Sequence, residues 1–174
     1  MFVETIDEII DCLDNGTYIA ALNLALTMPD ICGKAEYPDC SPKVRYIMWF
    51  DKYIGRFEIM QNQNLENIHP TMVGEVVYNL RNSLMHEGNP NVNEKTTKIN
   101  MFKIRIEQSN QFNDYLDTSS VDIINRGEKV INHYSVSLQN LCRKIHSTAK
   151  NYYTKNEEKF DFLVDNRVFW DREI

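Results

Sequence analysis

The chain has 174 residues, of which 43% are hydrophobic, 25% charged and 11% aromatic, with only 6 Gly and 5 Pro. That composition buries a core of ordinary size, predicts one domain over residues 1–174, and excludes disordered, low-complexity and fibrous classes. A formal net charge of -6 and a pI near 5.2 exclude a broad basic field, so any chemistry on phosphate has to concentrate its few Arg and Lys residues locally.

No stretch approaches the roughly 20 continuous apolar residues of a membrane-spanning helix. The opening Met1-Phe-Val-Glu-Thr-Ile-Asp-Glu carries acid where a secretory signal carries base, so a cytoplasmic protein with no membrane contact is expected. Cys12, Cys32, Cys40 and Cys142 are too scattered for a zinc ribbon or finger, and no His stands at ligand spacing from any pair. Reduced thiols, no bound metal and no cofactor are therefore expected. Cys12 and Cys142 read as small core fillers, and a Cys32–Cys40 bridge is the alternative for that pair.

Phe2 to Leu13 reads as a short helix stopped around Asp14-Asn15-Gly16, and Thr17 to Met28 as a second, Ala- and Leu-rich helix stopped at Pro29. Pro29 to Pro42 reads as a turn-rich connection, closing with Ser41 as N-cap and Pro42 at the first helical position. A third helix follows over Lys43 to Met60. Its residues Tyr46, Trp49, Phe50, Tyr53, Ile54, Phe57 and Met60 share a wide face at helical spacing, which marks a core stripe rather than a base-stacking platform.

Pro70 to Glu87 reads as the fourth helix, with Val73, Val76, Val77, Leu80 and Leu84 as its apolar face, ended by Gly88-Asn89-Pro90 and followed by a polar loop to Thr97. From Ile99 to Glu107 the period changes: Phe102, Ile104 and Ile106 alternate with Lys103, Arg105 and Glu107, a half-exposed strand. Val130, Tyr134 and Val136 mark a second strand, expected to pair antiparallel with the first across a polar connection from Gln108 to Lys129. Leu138, Leu141, Cys142, Ile145, Ala149 and Tyr152 then share one face of a last long helix to about Lys155. The tail from Phe160 to Trp170 is too apolar to hang free and is expected to pack back on the domain or on a second copy. The expected fold is thus mainly α, a helical bundle with a small antiparallel sheet (98–137) between the first four helices (1–90) and the last helix (138–156), with a packed tail (157–174).

On a helical wheel of about 100° per residue, Asn82 and His86 lie together one turn apart, opposite the apolar stripe of the fourth helix, with Glu75 and Tyr78 nearby. A core role for His86 is thereby disfavoured, leaving a solvated residue or a functional one. Arg81 flanks the stripe about 140° around from His86, so one helix alone does not converge them: a long Arg wrapping part of the way, a distorted helix end or a second subunit across a two-fold axis would close the gap, and a two-fold homodimer is expected. Glu87 and Tyr78 read as solvated. His69, His133 and His146 are isolated; Asp30, Lys34 and Asp51 are candidates to line a site, although Asp30 beside Pro29 reads more simply as a turn or capping residue and Asp51 as a helix-surface charge.

Arg81-Asn-Ser-Leu-Met-His86 resembles the Arg, four to six residues, His motif of HEPN domains, including the polar residue after the Arg and the position near the end of a late helix. The wider pattern Pro29-Asp-Ile-Cys-Gly33, Arg45-Tyr46, Trp49-Phe50-Asp51 and Leu80 to Gly88 is similar to a group of bacterial and phage-associated proteins over roughly the first half of the chain, and names no activity. The HEPN resemblance implies metal-independent RNA cleavage in a toxin–antitoxin or phage-defence role, with an antitoxin partner, a homodimeric assembly and RNA as substrate. In it, His86 moves the proton, Arg81 stabilises charge growing on the phosphoryl oxygens, and Asn82 orients one of them or the phosphate. The alternative is a non-catalytic module in which the same residues bind nucleotide or RNA or build a dimer interface.

Overall fold

The computed structural model describes residues 2–57, 72–97, 99, 101–106, 117–124 and 129–163. In chain order these form α1 (Phe2–Asp14), α2 (Tyr18–Glu36), α3 (Pro42–Phe50) running into a π-helical turn (Asp51–Gly55), α4 (Gly74–Glu87), the single turn α5 (Glu94–Thr97), strands β1 (Met101–Arg105), β2 (Asp117–Ile124) and β3 (Lys129–Ser137), α6 (Leu138–Lys155) and a 3-10 segment (Glu157–Leu163). The protein is mainly helical. Helix α2 lies at the centre, packed against α1, α3, α4 and α6, because its small residues Ala21 and Ala25 and its larger Leu22, Leu26 and Met28 are all buried.

The second helix corrects the expected stop at Pro29: it continues through the proline to Glu36. An internal proline removes one helical N–H and costs roughly 3 kcal/mol, but here the second half is anchored from outside. Tyr46 donates from its buried hydroxyl to the Leu26 carbonyl, Asp30 pairs with Arg45, and Glu36 accepts from four side chains. Tertiary contacts outweigh the local break. Ser41 and Pro42 do open α3 as expected, although the serine side chain makes no capping bond.

The aromatic stripe of α3 is core at Tyr46, Trp49, Phe50 and Ile54. Uninterrupted helix was expected here, and the wider i→i+5 turn over Asp51–Gly55 instead rotates the following residues off the stripe. Phe57 is consequently exposed, and Met60 lies outside the described residues. Helix α4 buries Val76, Val77, Leu80 and Leu84 as read from the sequence, but it starts only at Gly74, so Val73, expected on its apolar face, is the half-buried, extended residue before it; Pro70 lies outside the described residues, and Gly88, at φ 66°, closes the helix in the left-handed region.

The sheet differs from expectation in pairing. β1 and β3 run parallel, with Phe102 opposite Tyr134 and Ile104 opposite Val136. A third strand, β2, falls in the stretch read as a connection and pairs antiparallel with β3, so the order is β1-β3-β2. Parallel neighbours need a crossover between them, and β2 lies within it. Its first half, Asp-Thr-Ser-Ser, is polar throughout and shows no alternation that would reveal it. β3 leads straight into α6, whose N-cap Ser137 accepts from the Asn140 N–H.

The tail folds back on its own chain as far as Leu163: Phe160 is buried, stacked on Phe2 and edge-on to Tyr153, and Phe162 lies under Lys34 at 4.4 Å. Its continuation to Trp170 lies outside the described residues. All four cysteines are free thiols; Cys32 and Cys142 are buried, and burial pushes the Cys142 thiol up to about 12.

The Arg81 face of helix α4 as candidate functional site

Helix α4 reaches α3 through a glycine. A Cβ on Gly74 would stand 2.7 Å from the Ile47 carbonyl oxygen and 2.8 Å from the Ile47 Cα, so the two backbones touch where no larger residue fits. The N–H of Gly74 donates to the Asp51 carboxylate at 2.6 Å. Asp51 is therefore a cap for α4 held by the preceding helix, not the surface charge expected. Burial raises its pKa, the Gly74 N–H opposing this in part.

This contact covers the flank of α4 that the wheel had left to solvent. Tyr78 packs edge-on against Tyr46 at 5.3 Å, Lys43 donates to Glu75 at 2.9 Å, and the same ammonium stands 5.7 Å over the Tyr78 ring. Tyr78 is thus packed rather than solvated. Asn82, one turn further on, is half-buried.

Arg81 is also half-buried. Its Nη1 donates to Asn82 Oδ1 at 3.1 Å, while Nε is sealed from solvent with no acceptor among the described residues. Two carboxylates of the neighbouring elements are engaged elsewhere: Asp30 accepts from Arg45 Nε at 3.2 Å and Nη2 at 3.0 Å, and Glu75 from Lys43. Burial raises the Tyr46 phenol, and the Arg81 charge pulls it partly back while Asp30 and Tyr78 push it up further. His86 is exposed, and no hydrogen bond joins it to Arg81 or Asn82 among the described residues. Among the described residues one chain thus ties Arg81 to Asn82 and shows no hydrogen bond from either to His86.

Other residues singled out in the sequence have packing or pairing partners. Asp30 sits inside α2 against Arg45 rather than in a turn, Lys34 covers Phe162, and His146 lies 3.3 Å from Asp7, which also accepts from Lys150. His69 and the side chain of His133 lie outside the described residues.

Glu36 carried no signal in the sequence, since its four donors come from three distant segments. Lys52 and Tyr53 donate to one oxygen, Tyr152 and Lys159 to the other. Among the described residues no group of three His, Cys, Asp or Glu side chains could hold a metal ion, and no helix is long and apolar enough to cross a membrane.

Fold and site together define a mainly helical bundle with a three-stranded sheet and an Arg–Asn pair on the last turns of a core-packed helix. The chain matches no family model, no curated protein and no solved structure.

Proposed function

We propose that the chain is a metal-independent endoribonuclease of the HEPN kind, acting through Arg81, Asn82 and His86 in a cytoplasmic toxin–antitoxin or phage-defence role. The observation that carries this reading is the state of Arg81: a half-buried guanidinium tied to Asn82, with an Nε that has no acceptor among the described residues, while Asp30 and Glu75 pair with Arg45 and Lys43. Such a group is a pre-set acceptor for phosphate charge.

In the proposed reaction a neutral His86 takes the proton from the ribose 2′-hydroxyl as its oxygen attacks the adjacent phosphorus. The P–O5′ bond breaks, the leaving oxygen takes up a proton, and a 2′,3′-cyclic phosphate remains. Arg81 stabilises the extra negative charge on the phosphoryl oxygens, and Asn82 orients Arg81. Because Arg81 stands about 140° around α4 from His86, the complete site uses Arg81, tied to Asn82, of one chain and His86 of a second copy.

The same separation favours a second reading, a non-catalytic HEPN-like module that binds RNA or nucleotide at Arg81 without cutting. Incubating the purified protein with RNA in the presence of a chelator distinguishes the two. Cleavage leaving cyclic phosphate ends, reduced about 100-fold or more by His86→Ala, supports the nuclease. Binding without cleavage supports the module.

A further inference from the structure

We infer that a second site, in the cleft between the end of α3 and the C-terminal half of α6, binds a mononucleotide. The cleft has a volume of about 540 Å³, within the range of small-molecule sites. One wall is made by Tyr53, Arg56 and Phe57, the other by Asn151, Lys155 and Asn156. It is separate from the Arg81 face, since neither wall comes from α4, and it stands independently of the ribonuclease reading.

The π-helical turn shapes the first wall. By rotating the chain off the core stripe it leaves Phe57 42% exposed, with the Arg56 guanidinium 4.6 Å over the ring. Turns of this kind recur at functional sites. An exposed aromatic ring beside a cation offers stacking and charge together, the pairing that holds a nucleobase next to its phosphate.

Charge points the same way. Glu36, which accepts from the cleft residues Tyr53 and Tyr152, is neutralised by Lys52 and Lys159. Arg56 and Lys155 have no carboxylate partner among the described residues, although the chain as a whole carries -6. Two cations facing one cleft, neither paired with a carboxylate among the described residues, favour a dianionic phosphate. The rest of the wall suits a planar base: Asn156 uses its Nδ2 on the Tyr152 carbonyl and keeps Oδ1 for a donor, and the exposed Asn151 offers both a donor and an acceptor.

The test is calorimetric titration of the whole protein with the four ribonucleoside 5′-monophosphates, with the four matching ribonucleosides and inorganic phosphate as separate arms. At least one monophosphate is expected to bind 10-fold or more tightly than either fragment. Arg56→Ala with Lys155→Ala should bring that nucleotide down to the level of its nucleoside, and Phe57→Ala should weaken the nucleotide while leaving inorganic phosphate unchanged. Arg81→Ala should change none of these affinities. All three cleft positions are exposed, and circular dichroism checks that the variants keep the fold. Absence of monophosphate binding by the wild-type chain overturns the inference, as does unaltered affinity in the double variant or loss of binding in Arg81→Ala alone.

Discussion

Burial raises the pKa of the Glu36 carboxyl, whose side chain is only 10% exposed, but hydrogen bonds from Lys159, Lys52, Tyr152 and Tyr53 outweigh it and hold the group at about 2. The folded value is below the ordinary 4.5, so the stabilisation is complete above about pH 4.5 and is lost as the pH falls through about 2. Glu36→Gln should cost about 1–3 kcal/mol at neutral pH and flatten the loss of stability over that acid window. Urea melts at pH 7 and pH 3 measure both, and parallel pH profiles for the two proteins would contradict the role given to Glu36. Leu80, fully buried, marks the opposite kind of residue. Leu80→Ala should cost about 2–5 kcal/mol by opening a cavity, whereas Arg81→Ala and His86→Ala should abolish cleavage with the fold retained, as thermal melts beside the RNA assay will show.

At the scale of elements, the seam between α3 and α4 is decided by backbone contact. Gly74→Ala brings a small gain in helix propensity, at most about 1 kcal/mol. The added Cβ would meet the Ile47 carbonyl oxygen at 2.7 Å, and that backbone cannot swing aside as a side chain could. Overpacking of this type costs about 1–3 kcal/mol, so the variant should melt lower than wild type; an unchanged or raised melting temperature would refute the argument. Displacing α4 also displaces Arg81 and Asn82. The wider sequence pattern acquires a physical meaning on the neighbouring seam: Asp30 binds Arg45, a Cβ on Gly33 would stand 2.7 Å from the Arg45 carbonyl oxygen, and Tyr46 donates back to α2. Those residues hold α2 against α3.

For the whole molecule, the proposed composite site requires two copies of the chain. Sedimentation at micromolar concentration should show a dimer. Mixing Arg81→Ala with His86→Ala protein offers a sharper measurement. A heterodimer then holds one intact site, with Arg81 from one chain and His86 from the other, and random mixing should restore up to about a quarter of wild-type cleavage. No recovery despite exchange of subunits, shown by labelled chains, would place the reacting groups within one chain and overturn the shared site.

The sequence by itself determined the helical class, the buried stripes of α3, α4 and α6, the break at Gly88 and the existence of β1 and β3. Each follows from a local periodicity or a local backbone requirement, which neighbouring residues express whatever the rest of the chain does. It also showed that Arg81 and His86 diverge on their helix, because that depends only on the angle per residue. Tertiary structure alone decided the continuation of α2 past Pro29, the parallel pairing of β1 with β3, the polar strand β2, the π-helical turn and the cleft beside it. The same holds for the Glu36 cluster and for the covering of Tyr78 by α3. Where the deciding contact joins residues far apart in the chain, as with Glu36 and Lys159 or Ile47 and Gly74, its free energy overrides a local preference that the sequence pattern expresses alone.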